Sequence, residues 1–95
     1  MASTYTRTIT PGGKQVSTAN QVIDFAIENG TAKKLRVQFL NFRAFAQEVF
    51  FRINDEVTVH WVEADSDQTF RDIDIDKITI VNAGVEYYFT AMSTE

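Results

Sequence analysis

Val57-Thr58-Val59-His60-Trp61-Val62 is the stretch whose reading decides the fold class. Apolar and polar residues alternate through it. Successive side chains of an extended chain point to opposite faces, so alternation predicts a half-buried strand. Read this way, Val57, Val59 and Trp61 face a core and His60 faces away. Asp72-Ile73-Asp74-Ile75-Asp76 and Val85-Glu86-Tyr87-Tyr88-Phe89-Thr90 alternate in the same way.

Outward from these runs, turn residues recur at short intervals. Ser3 to Thr10 is Thr-rich and alternating, and Pro11-Gly12-Gly13 closes it with a turn. Lys14 to Thr18 reads as a short edge strand and Val22 to Ile27 as the next strand, ended by Glu28-Asn29-Gly30. From Lys34 to Leu40, Leu35, Val37 and Phe39 point one way and Arg36, Gln38 and Leu40 the other. Asn41 to Phe51 fits two periods. Phe42, Phe45, Ala46, Val49 and Phe50 have helical spacing, whereas Phe45, Gln47, Val49, Phe51 and Ile53 have strand spacing. The missing helix caps and the β-branched and aromatic density favour a loop or single helical turn near 42–46, then a strand from 47 to 53. Asn54-Asp55-Glu56 is a turn and Glu63 to Gln68 a polar loop. Thr69 to Ile75 and Lys77 to Val81 are strand-like, and Asn82-Ala83-Gly84 turns the chain into its last strand.

These readings predict one all-β domain over residues 1–95, a compact β-sandwich or jelly roll of about eight short antiparallel strands. The expected core is Phe25, Leu35, Val37, Phe39, Val57, Val59, Trp61, Ile73, Ile75, Ile78, Ile80 and Phe89. A chain of 95 residues buries a modest share of its surface. With no Cys for a disulfide and no His/Cys cluster for zinc, self-association is the remaining common support.

Composition excludes several function classes. No apolar run is long enough to span a membrane. The polar start, Met1 to Arg7, lacks a signal-peptide core and predicts a protein made in a cytoplasm. Net charge is −4, the wrong sign for a general nucleic-acid binder. Charge is unevenly spread: residues 1–54 hold seven basic and three acidic side chains, whereas residues 55–95 hold two and ten.

Chemistry-bearing residues are few. His60 is the one histidine, and no spacing joins it to a nucleophile, so no catalytic set, cofactor site or metal site is predicted. On one strand, Asp72, Asp74 and Asp76 would form a carboxylate row with ~6.6 Å spacing. That row reads first as a solvated face, next as a contact for Arg and Lys of the same or another subunit, and last as a cation site. Phe42, Phe45 and Phe50, interleaved with Arg43 and Arg52, read as core and interface packing ahead of a base- or sugar-stacking platform. The predicted interface is therefore Phe42, Phe45, Phe50, Arg43, Arg52, Asp72, Asp74 and Asp76.

The runs Ala32 to Phe39, Val49 to Asn54 and Ile78 to Phe89 together resemble small structural proteins of tailed bacteriophage virions. These are chiefly head decoration (cement) proteins and short tail or fibre components, whose last strand follows a Gly-hydrophobic-x-aromatic hairpin like Gly84-Val85-Glu86-Tyr87. The resemblance implies a non-enzymatic β-sandwich of the virion, made in the host cytoplasm. It further implies a homo-oligomer, with a trimer favoured, bound to capsid or tail proteins. A carbohydrate- or other ligand-binding module, with Trp61 and Tyr87 or Tyr88 as platform, is the alternative. An enzyme on a small jelly roll comes third.

Overall fold

The computed structural model describes residues 7–25 and 37–93. Nine strands lie among them: β1 (Arg7–Ile9), β2 (Gln15–Val16), β3 (Gln21–Asp24), β4 (Val37–Ala44), β5 (Val49–Ile53), β6 (His60–Val62), β7 (Asp67–Ile75), β8 (Lys77–Ile80) and β9 (Glu86–Ser93). They form two antiparallel sheets. The first runs β1-β9-β4-β7, with β2 also on β9; the second runs β3-β8-β5-β6. The architecture is the all-β sandwich that alternation predicts. β1 and β2 share one edge of β9 and act as a single strand interrupted by the Pro11 to Gly13 loop, where Gly12 takes a positive φ of 80°.

The core lies between the sheets. β9 supplies Tyr87, Phe89, Ala91 and Ser93 from one face in strict alternation. β4 supplies Leu40, Phe42 and Ala44, and the second sheet answers with Ile23, Val49, Phe51, Ile53, Ile78 and Ile80. Phe42 is the centre of this packing: its ring stacks on Phe51 at 4.7 Å and on Tyr87 at 5.7 Å.

Three expectations fail, each because a local break in the β pattern resets which face is buried. On β4, the register against β9 slips between Val37 and Phe39, so Gln38 and Phe39 together occupy the step that one residue would take. Val37 and Leu40 are both fully buried, and Phe39 is only half-buried. The expectation had placed Phe39 inside and Leu40 outside. Strand β4 also continues through Ala44, so there is no helical turn at 42–46.

On β7, Asp72 adopts φ 60° and the register against β4 jumps from Arg71 to Ile75. Ile75 is buried, but Ile73 is thrown outward and is 41% exposed. The third break is in the opening stretch itself. Asn54 turns β5 away with φ 56°, and Val57 to Val59 pair with nothing as strand. Val57 is 89% exposed. Only His60–Val62 pairs with β5, opposite Phe51, Phe50 and Val49 in turn. Cross-strand partners share a face. Because Val49 and Phe51 are buried, Val62 and His60 turn inward, and Trp61 turns outward with Phe50. Only these three residues alternate, and in the phase opposite to the one expected. Leu35, also expected in the core, lies outside the described residues.

Polar side chains close the sandwich corners. Ser17, 4% exposed, donates through Oγ to the Asn82 carbonyl at 2.7 Å and accepts from Val85 N–H. Asn82 in turn accepts from Phe50 N–H and donates to the Glu48 carbonyl. Asn54 does the same at the opposite end, where β7 of one sheet leads into β8 of the other.

Candidate functional site

The second sheet turns an apolar face to solvent. The strand register builds it in rows. Val22, Thr79 and Arg52 are cross-strand neighbours, and none of their side chains points into the core. One step toward the β4–β5 loop, Val81 donates its N–H to the Phe50 carbonyl at 2.8 Å, and Phe50 pairs with Trp61. Val22 is 56%, Trp61 51% and Val59 44% exposed; Phe50 and Val81 are half-buried. An isolated exposed valine such as Val22, three strands away from Trp61, is ordinary, but an indole beside Phe50 with Val81 next along the same row is a patch of the kind that marks a binding surface.

Charge flanks the patch along the strand direction. Trp61 Nε1 donates to Glu48 Oε1 at 3.1 Å, and Glu63 is exposed beyond Val62. On the other side of the Phe50–Trp61 row lies Arg52. It is exposed, and among the described residues its side chain has no hydrogen-bond, ion-pair or aromatic partner. Farther that way, Lys77 pairs with Asp55 at 2.9 Å. Its ammonium is held above the ordinary lysine pKa by the hydrogen bond to Asp55 and then by the charge of that carboxylate.

The predicted interface residues do not form one site. Phe42 is fully buried in the core, since the β4 bulge sets its phase inward, and it cannot touch a partner. Arg43 and Phe45 belong to the outer side of the first sheet, where the Arg43 guanidinium lies 5.4 Å from the Phe45 ring centroid and Lys14 Nζ lies 5.1 Å from it. Phe50 and Arg52 belong to the second sheet, on the opposite side of the molecule. Asp72, Asp74 and Asp76 do not form a row. The positive φ at Asp72 breaks the extended run; Asp72 and Asp74 are exposed, and Asp76 is half-buried at the corner into β8. Among the described residues, no group of three or more His, Cys, Asp or Glu side chains is arranged to hold a metal ion.

The proposed sugar platform is also divided. Tyr87 is buried, Tyr88 lies on the outer side of the first sheet, and Trp61 on that of the second. His60 packs between rings, 5.5 Å from Phe51 and 5.1 Å from Phe70, with Phe70 edge-on. It has no hydrogen-bond or ion-pair partner among the described residues, so nothing orients it as a base. An open depression of about 490 Å³ at the loop end, lined by Ala46, Glu48, Ala64, Asn82 and Val85, offers one carboxylate, and that carboxylate already serves Trp61.

Sequence reasoning found Phe50, Arg52 and Trp61 but assigned Trp61 to the core; it passed over Val22 and Val81. The available signal was Lys77 to Val81, where burying Ile78 and Ile80 sends Thr79 and Val81 outward. No protein-family model matches the chain, and neither a curated protein nor a solved structure shows significant similarity to it.

Proposed function

We propose that this chain is a non-enzymatic assembly protein that binds another folded protein through the outer face of its β3-β8-β5-β6 sheet. The observation that carries this reading is the row of Trp61, Phe50 and Val81 on the solvent side of that sheet, with the indole half exposed. Such a surface loses little by staying flat and gains from being covered. Glu48 and Glu63 lie to one side of the aromatic row along the strands and Arg52 to the other, and aromatic anchors are enriched at interfaces. A structural role in a phage virion, on capsid or tail, is the specific form this takes in view of the resemblance of residues 32–39, 49–54 and 78–89.

The test is cosedimentation with purified heads and tails of the phage that encodes the chain, compared with a Trp61→Ser/Phe50→Ser variant. Trp61 is exposed and Phe50 half-buried on the outer side of the sheet, so the variant is expected to keep a β-type circular dichroism spectrum and to lose binding. A folded variant that cosediments as well as the parent contradicts the proposal. So does glycan binding that requires Trp61, which would move the ligand-binding module to the front.

A further inference from the structure

We infer that the occupant of this face is a second copy of the chain, packed face to face about a two-fold axis that crosses the strands at the level of Phe50 and Trp61. This rests on reading the outer face of the second sheet as a binding surface, and it names the partner.

Charge placement on the face favours a second copy and sets its orientation. A two-residue step along a strand is about 6.6–6.8 Å. One step from the Phe50–Trp61 row toward the loop end brings Glu48, and Glu63 follows Val62 in the same direction. One step the other way brings Arg52. A two-fold axis along the central row reverses the strand direction between the copies. It lays Glu48 and Glu63 of one copy over Arg52 of the other, and does so twice. An axis parallel to the strands would instead hold carboxylates level with carboxylates and Arg52 level with Arg52. Like charges at an interface are strongly disfavoured, so the layout selects the first arrangement. It also supplies a partner for Arg52, which has none among the described residues of its own chain.

The apolar residues suit the same axis. Trp61, Phe50 and Val81 lie on the row that the axis follows, so each meets its own copy. The four strands stand ~4.8 Å apart and run three to five residues, so the sheet itself offers on the order of 300 Å² per partner, a small interface suited to reversible association. Sheets packed face to face with strands nearly aligned are an ordinary arrangement. The result is a pair, in place of the trimer that the virion resemblance implies.

Sedimentation of the purified chain alone, from low to high micromolar, tests this. The mass should rise from one 10.8 kDa chain to two. Arg52→Glu and Glu63→Arg should each raise Kd by about tenfold or more, since each loses an ion pair and gains a repulsion at two symmetric places. Combining them should recover most of that loss, which neither an unfolding effect nor a change in net charge explains. A parent that stays monomeric overturns the inference, yet leaves a different protein as occupant, which cosedimentation with virus particles reports separately. Three-chain assembly, or a dimer indifferent to Arg52→Glu and Trp61→Ser, overturns it too. In the latter case a second copy docks elsewhere.

Discussion

Replacing Asn54 should destabilise the sandwich in a graded way, because this residue ties the sheets together in two separable respects. Its Oδ1 accepts from Asp76 N–H at 2.7 Å, and its Nδ2 donates to the Asp74 carbonyl at 3.0 Å. These bonds hold the corner where the chain passes from β7 to β8. Its backbone also sits at φ 56°, in the left-handed region. Each hydrogen bond contributes a net ~0.5–1.5 kcal/mol, so losing both costs ~1–3 kcal/mol. A left-handed alanine costs a further ~1–2 kcal/mol. Asn54→Ala should therefore lose ~2–5 kcal/mol, out of a total of about 5–14 kcal/mol expected for a domain of this length. Asn54→Gly loses the same bonds and escapes the backbone strain, at an entropic cost of ~0.4–1 kcal/mol in the unfolded chain. It should fall ~0.5–1 kcal/mol above the alanine variant. Urea unfolding of the three proteins, followed by circular dichroism, gives the order directly. An alanine variant within ~0.5 kcal/mol of the parent, or one more stable than the glycine variant, would refute the reasoning.

Other perturbations separate this fold from simple alternation. Leu40→Asn, at a fully buried site, should cost several kcal/mol, while Phe39→Asn should cost clearly less; equal losses in thermal unfolding would remove the β4 bulge from the account. Phe42→Ala should cost ~3–5 kcal/mol, because its ring stacks on both Phe51 and Tyr87, and should act through stability without touching an interface; a stable variant with altered association would contradict that. The Lys77 pKa is raised on folding, so its pairing with Asp55 contributes below the ordinary lysine value of about 10.4 and is lost as pH rises through the raised value. The melting-temperature gap between the parent and Asp55→Asn should accordingly close at strongly alkaline pH; a gap that is constant or widens would show that the ion pair is not its origin.

Much of the fold was legible because most strands keep strict alternation. Glu86 to Ser93 reads the same in sequence and in structure, as do Ile78 and Ile80. What sequence could not show was where alternation is reset. Val37, Gln38, Phe39 and Leu40 contain no turn residue, yet one extra residue there exchanges the roles of Phe39 and Leu40. Asp72 does belong to a residue type that tolerates positive φ, but three aspartates at regular spacing hide it. Val57 to Val62 misled most. Its first three residues are exposed and unpaired, the phase of the other three comes from β5, and nothing local in the sequence carries that information. The candidate face was missed for the same reason. It appears only once Trp61 is turned outward to stand beside Phe50, with Val81 brought alongside by a strand distant in sequence.

Trp61 is the one tryptophan in the chain, so its fluorescence reports on the proposed face alone. The dilute protein should show the red-shifted emission of a water-contacting indole, readily quenched by acrylamide. Raising the concentration should shift the emission to the blue and protect it from quenching, and Arg52→Glu should move that change to higher concentration. A blue, unquenchable emission in the dilute chain, unaltered by concentration or by Arg52→Glu, would place Trp61 in the core and remove the face on which the account depends.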